Sequence, residues 1–360
     1  MRLSTIPFLI FISIFVISQS NSKIRIIHAD LNLGKKIQGE QIRILKGSVH
    51  VVKDTVHMYC DSAYYFEAKN TLELLGSVVV NNGHRTIKAK KIIYFPDDEL
   101  TECIGNVRAT SETDSLFTNR LVYNLKRSEA TATDSVYLWS KEDNVHITGD
   151  YGYFDKKNSY FRIKNNAHFI QVDSAKGDSF QVKSEKLEYF GDTLKYAYAE
   201  DSVKIWQGGL KAFCDTSWYY SKTEIAWLKG NPITWFENNE LKGKEIKVKF
   251  DSSEVKHLDV FGEAQAKTIN DSIPNEYNLL KGKSIEFFIN ERRPDLVISR
   301  LNASSKYYLS ENADKGINYS TSDSIYVFFK AGKLDSIEII GGAEGTYYPD
   351  GFKGEKKIGE

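Results

Sequence analysis

The chain has 360 residues, with 48 Lys and Arg against 48 Asp and Glu, so its formal net charge is zero. That balance excludes the basic face expected of a nucleic-acid binder. Its 21 Tyr, 20 Phe and 5 Trp stand against 6 Pro and 2 Met, and the aliphatic residues lean to Val and Ile, which is the composition of strands.

Met1-Arg2 and the apolar stretch Ile6 to Ile17 have the charged start and short hydrophobic core of a secretory signal peptide. Ser18-Gln19-Ser20 and, two residues on, Ser20-Asn21-Ser22 place small residues where a signal peptidase reads. A signal peptide over residues 1–22 is therefore expected. A membrane span needs about 20 apolar residues, and this run has 12. No Cys follows it to take a lipid.

Next comes Lys23 to His28, which reads as a strand with no earlier unit to pair with. A repeat begins at Gly47. The segments Gly47-Ser48-Val49-His50-Val51, Gly76-Ser77-Val78-Val79-Val80, Gly105-Asn106-Val107-Arg108-Ala109 and Asp134-Ser135-Val136-Tyr137-Leu138 follow one another at a constant spacing of 29. The series continues less strictly with Asn165 to Phe169, Asp201 to Ile205, Asn231 to Trp235 and Gly262 to Ala266. Self-similarity at such a period means one supersecondary unit stacked many times, with function on a long shared surface.

Within a unit, Val49 and Val51 alternate with polar neighbours, a turn at Lys53-Asp54 leads into Val56 to Phe66, and Lys69-Asn70 leads into Leu72 to Leu75. Apolar residues two apart share one face of a pleated strand. The middle strand repeats an aromatic or aliphatic residue at Tyr65, Tyr94, Tyr123, Tyr153, Tyr189, Tyr219, Val248, Phe287 and Val327, predicting a ladder of equivalent side chains. The expectation is one elongated all-β domain over residues 23–348, with a polar tail over 349–360. Loops are expected at Val172 to Ser179 and Asn270 to Asn278, and closing strands at Leu334 to Ile340 and Thr346 to Tyr348.

Ten Asp-Ser dipeptides, among them Asp61-Ser62, Asp134-Ser135, Asp201-Ser202 and Asp323-Ser324, read as turn formers at strand ends. With no His at a fixed distance and no glycine-rich elbow, they do not read as catalytic pairs. The seven His form no ligand pair by spacing, and Cys60, Cys103 and Cys214 match no metal or redox motif, so each thiol is expected to pack as a small hydrophobe. No catalytic residue, metal or cofactor is expected.

The unit of glycine or Asp/Asn, two alternating apolar residues, a turn, and a strand ending in Tyr-Phe resembles the OstA/LptA family of periplasmic lipopolysaccharide transport proteins. Gly47 to Phe66, Gly76 to Phe95 and Gly105 to Tyr123 carry the resemblance, with Cys214 to Tyr220 a further copy. It implies an elongated, repeat-built β-jellyroll of two facing antiparallel sheets, a periplasmic location, and an apolar groove for the acyl chains of lipid A. It also implies stacking by edge strands onto itself or onto related jellyrolls, bridging inner and outer membranes. The large outer-membrane barrel that some relatives append is absent from this sequence.

The alternation itself places Val49, Val51, Val78, Val80, Val107, Val136, Leu138, Phe169, Val203, Ile205, Ile233 and Trp235 on one inward seam, the candidate lipid-binding groove. A shielded path suits the cargo, since an acyl chain loses about 0.8 kcal/mol for each CH2 returned to water. Inward apolar residues of a stacked β-protein are equally those of a filled core. Two alternatives therefore stand beside lipid transport: a non-catalytic envelope scaffold or glycan-binding protein, and an anchored LptC-like component that retains its signal segment.

Overall fold

The computed structural model describes residues 24–352 apart from 38, 174–177, 192–194, 252–253, 270–276, 310–315 and 331–332. The signal peptide and most of the tail, together with the centres of both inserts, lie outside the described residues. All regular structure among the described residues is strand, and the strands pair antiparallel, most ladders carrying a shift of register at a bulge. The chain divides into two compact units: an N-terminal one ending at Gly177 that also takes Ser184–Lys195, and a C-terminal one formed by Asp178–Lys183 and the chain from Tyr196 onward.

The N-terminal unit is built from β1 (Arg25–His28), β2 (Leu31–Ile37), β3 (Glu40–Lys53), β4 (Val56–Phe66), β5 (Thr71–Asn81), β6 (Thr86–Phe95), β7 (Leu100–Thr110), β8 (Asp114–Asn124), β9 (Glu129–Ser140), β10 (Val145–Asp155) and β11 (Tyr160–Asp173), followed by most of β12 (Asp178–Phe190). From β3 to β11 each strand pairs with the next, and the short turns between them are those read from the sequence.

The repeat anchors are not turns but bends within strands. Gly47 (φ 76°) and Ser48 (φ 44°) are both left-handed, as are Gly76 (74°) and Ser77 (47°), Gly105 (82°) and Asn106 (49°), and Asp134 (64°) and Ser135 (69°). Left-handed backbone is tolerable to Gly, Asn and Asp and costlier to most others, which accounts for the Gly or Asp at the first place of these four anchors; the second is Ser in three of them and Asn in the fourth. In β3, Lys46 pairs with Ser62 and Val49 with Cys60, so Gly47 and Ser48 together face the single residue Asp61. This two-against-one bulge bends the strand. Repeated in β5, β7, β9 and β11, it folds one hydrogen-bonded ladder into two facing halves, the jellyroll.

Each half turns a row of apolar side chains inward. After the bends the row passes through Val51, Met58, Val80, Ile87, Ala109, Leu116, Leu138, Ile147 and Phe169, each the cross-strand partner of the next, and none is more than 8% exposed. Before the bends the row is Leu45, Ala63, Leu74, Ile92, Cys103, Leu121, Ala132, Gly152 and Ile163, also buried.

In the C-terminal unit, β13 (Tyr196–Gln207) and β14 (Leu210–Tyr220) keep this plan, with the bend at Asp201-Ser202. At Gly230-Asn231 the bend interrupts the strand, leaving β15 (Ile225–Lys229) and β16 (Ile233–Phe236) against the two halves of β14. Pro232, without an N–H, helps hold the break. β17 (Asn239–Lys242) and β18 (Glu245–Asp251) are split likewise at Gly243-Lys244, and both pair with β19 (Glu254–Ile269). The long strands β20 (Tyr277–Asn290), β21 (Arg293–Leu309) and β22 (Gly316–Lys330) follow, and the unit closes with β23 (Lys333–Ile340) and β24 (Glu344–Pro349), both on β22.

Two readings of the sequence need correction. The Asp-Ser pairs at 134–135 and 201–202 are bend residues in mid-strand, and Asp61-Ser62 and Asp323-Ser324 lie in strand interiors beside bends, not at strand ends. In the aromatic ladder, Tyr153 faces outward and Phe154 is the buried residue. The row that holds Tyr94 and Tyr123 runs on through Ala130 to Phe154, whose ring lies across the space that a side chain at Gly152 would fill.

Candidate functional site

Ten of the twelve seam residues are buried at inward positions: Val49, Val51, Val78, Val80, Val107, Val136, Leu138, Phe169, Val203 and Ile205. Ile233 and Trp235 are not. They face outward on β16, and Thr234 and Phe236 take the interior. The bend there is Gly230-Asn231, one residue earlier than Asn231-Pro232, and a slip of one residue moves every side chain to the other face.

The interior opens at the start of the N-terminal unit. β1 pairs with the post-bend half of β3, through His28 opposite His50 and Arg25 opposite Val52, and β2 pairs with the pre-bend half. Beneath β1 lies a cavity of about 350 Å3 walled by Ile24, Ile26, Leu45, Val51, Ala63, Tyr65, Leu72, Tyr94 and Pro96, with Arg43, Lys53 and Asn70 also on its lining. Its size falls within the roughly 300–1,000 Å3 typical of ligand pockets.

Arg43 stands opposite Tyr65 on the inward face of β3, where the other units place an apolar or small residue. Lys53 Nζ lies 5.7 Å from the centre of the Tyr94 ring. The Tyr65 hydroxyl donates to Asn70 Oδ1 at 3.0 Å, and Asn70 donates in turn to Asp97 at 2.7 Å, so the ring is held by hydrogen bonds at the rim. Burial pushes the Tyr94 hydroxyl above its ordinary pKa, with the Glu99 charge adding to the shift. The arrangement is an apolar pocket with two cations at its edge, able to take an apolar chain ending in an anionic or polar group. Of its lining, the sequence reading named Val51 as a seam residue and Tyr65 and Tyr94 as ladder residues. Arg43 and Lys53 were missed, although a cation at an inward strand position was a visible signal.

The outer face holds two clusters that spacing did not reveal. His50 and His57 share a hydrogen bond of 3.1 Å between ring nitrogens, and His50 stacks on Tyr59 at 4.3 Å. Partial burial lowers the His50 pKa, and the neighbouring His57 and His28 lower it further. In the C-terminal unit His257, Asp259 and Glu286 bring ligand-type atoms together. Asp259 is bonded to His257 at 2.5 Å and to Lys247 at 3.2 Å, and Glu286 to Arg300 at 2.8 Å, so each carboxylate already has a cationic partner. Burial works to raise the Asp259 pKa, but the His257 and Lys247 hydrogen bonds and charges outweigh it and leave the carboxyl below its usual value. The cluster is an ion-pair network.

Cys60, Cys103 and Cys214 are buried and unpaired with one another, and burial pushes their thiols up to about 11, about 12 and about 12 respectively, as packing residues.

Residues 21–166 match the family model described as OstA-like protein. A comparison with proteins of curated function returns no match. Among solved structures the chain is similar to LptH, the LptA-homologous periplasmic component of the lipopolysaccharide transport device of Pseudomonas aeruginosa, at 14% identity over 39% of this chain and 95% of that one, with a TM-score of 0.31. The likeness carried by the glycine-anchored repeat from Gly47 to Tyr123 thus falls within the stretch, residues 21–166, that is similar to the OstA-like proteins.

Proposed function

We propose that the protein works in the periplasm as a non-enzymatic carrier that binds lipopolysaccharide, or a similar envelope lipid, by its acyl chains and passes it toward the outer membrane. The observation that carries this reading is the mouth of the N-terminal unit. Its 350 Å3 cavity is apolar in depth and cationic at the rim, and it leads onto the inward seam of Val51, Met58 and Val80. Acyl chains would displace the partly exposed wall formed by Ile24 and Ile26, while Arg43 and Lys53 take phosphate or carboxylate groups of the head.

Edge strands support the bridging part of the proposal. β1 and β2 expose Ile27 (52%), Leu31 and Leu33, and β23, which pairs with β22 alone among the described strands, exposes Leu334 and Ile340 (51%). Open edges of this kind recruit another sheet by strand addition. The partner proposed is a second copy or a related jellyroll.

A second reading is favoured by one observation: the inward rows are closed to water, as in a filled core, so the protein would be a scaffold. Mass spectrometry of lipids retained by protein purified from its own envelope separates the two. Lipid is expected on the wild type and strongly reduced on Arg43→Glu/Lys53→Glu; equal and trace lipid on both would favour the scaffold.

A further inference from the structure

The outer face of the C-terminal unit carries a patch of rings that the lipid reading does not use. Tyr198, Trp218 and Trp227 stand side by side on β13, β14 and β15, each the cross-strand partner of the next. The Tyr198 and Trp218 rings are 5.0 Å apart at 45°. One step along the same face Tyr196 lies opposite Tyr220, with rings 5.8 Å apart. All five are partly exposed. A cluster of large rings facing solvent, on a protein whose interior is built mainly from Val, Leu, Ile and Ala, marks an interaction surface.

The same transverse row runs on from the rings into charged residues: Trp227 is opposite Lys247, Lys247 opposite Asp259, and Asp259 opposite Glu286. These charges are matched. Lys229 pairs with Glu245 at 3.2 Å, Lys247 with Asp259 at 3.2 Å and Arg300 with Glu286 at 2.8 Å. Beside the rings lies an open depression of about 830 Å3, lined in part by Lys222, Glu224, Lys249, Asp251 and His257.

This balance selects the ligand. A polyanion would meet lysines already bonded to carboxylates, with Glu224 and Asp251 beside them, and no basic face. An acyl chain would find no apolar cavity, only rings bordered by ions. A neutral saccharide satisfies both halves of the patch. The C–H face of a sugar ring carries slight positive charge and rests on the negative face of an aromatic ring. Its hydroxyls each donate and accept, and lysine–carboxylate pairs supply both complements. Strand spacing places the Tyr198 and Trp227 positions about 10 Å apart, room for two linked sugar rings. Lys229 Nζ, 5.7 Å from the Trp218 centre and 6.0 Å from that of Trp227, is a flexible cover that can swing aside and bond to the sugar's edge.

We propose that the outer face formed by β13, β14, β15 and β18 is a binding site for a neutral saccharide chain, with Trp218 and Trp227 as its stacking floor and the Lys247–Asp259 pair as its polar border. The lipid reading is not required for it.

Calorimetry and tryptophan fluorescence of the full chain with cellohexaose, maltohexaose and chitohexaose test this, with oligothymidylate as the polyanion control. Saturable binding to at least one hexasaccharide is expected, with none to oligothymidylate. Trp218→Ala and Trp227→Ala should each weaken binding by about tenfold or more, the loss of one stacked ring. Trp235→Ala, which removes an outward ring on the other half, should leave it unchanged. Trp227→Phe keeps a ring face and should retain most affinity, which separates stacking from a folding defect that unfolding midpoints would reveal. No saturable binding to any of the three sugars, preference for oligothymidylate, or undiminished binding by the Trp218→Ala/Trp227→Ala double variant would overturn the proposal.

Discussion

The Asp61 carboxylate sits directly over Gly76, in the space where a side chain at residue 76 would begin. The same relation joins Asp30 to Gly47, Asp215 to Gly230 and Asp323 to Gly341. In the first and last of these the backbone is fastened too, Asp30 N–H donating to the Gly47 carbonyl at 3.1 Å and Asp323 N–H to that of Gly341 at 2.8 Å. Glycine is therefore required at these bends twice over, by its left-handed φ and by the overlying carboxylate. Gly76→Ala should cost about 1–3 kcal/mol, the sum of the left-handed penalty and the displacement of Asp61. Its neighbour Ser77, left-handed but without that cover, should tolerate Gly with little loss. Urea unfolding of both variants measures the difference.

Thr234 occupies an inward position, fully buried, and its hydroxyl has no hydrogen-bond partner. A buried unsatisfied hydroxyl costs about 1–3 kcal/mol, and valine has nearly the same shape. Thr234→Val should therefore raise stability by about 1 kcal/mol, read as a higher unfolding midpoint. A lower midpoint would mean that the hydroxyl is satisfied in solution.

The three thiols are held protonated by burial, so none is a nucleophile at neutral pH. An aromatic disulfide reagent should label them only as the protein unfolds. Rapid labelling of native protein at any one would show that its strand opens locally.

His50 has its folded-state pKa depressed, so protonation favours the unfolded chain. Its contribution is fully present at neutral pH and is lost as pH falls below the ordinary imidazole value of about 6.5 toward the lower folded value. Double protonation also removes the acceptor from the His50–His57 bond. Proton NMR should find His50 titrating below the ordinary imidazole value, and His50→Gln should flatten stability against pH in that window.

Edge pairing predicts association that depends on concentration. Ile339→Pro, which removes a backbone donor from β23, should weaken it while leaving far-UV circular dichroism unchanged. Sedimentation showing a strict monomer for wild type and variant alike would remove the stacking model.

The strands and the period of their anchors were legible, though not the mid-strand bends, because two opposing demands meet at each anchor. A β-ladder disfavours Gly, Asn and Asp in its interior, and a left-handed bend favours them at its first residue, so Gly47-Ser48 and Gly105-Asn106 stand out at a fixed period. Where the bend residues were followed by Pro232, the anchor was read one residue late and Ile233 and Trp235 were turned inward. The mouth cavity was not legible, since it depends on β1 returning across the post-bend half of β3. Nor was the pairing of Trp218 with Trp227 or of His257 with Phe288, because cross-strand neighbours follow from register and not from spacing along the chain.

The central claim is that the inward seam receives acyl chains, and site-specific photo-crosslinking in the native envelope addresses it most directly. A photoreactive residue at Val78, Val80 or Val136, all buried and inward, should capture a lipopolysaccharide-like lipid, and one at the outward neighbours Val79 or Tyr137 should capture far less. Equal capture at both sets, or none at the inward set, would contradict a lipid-carrying interior.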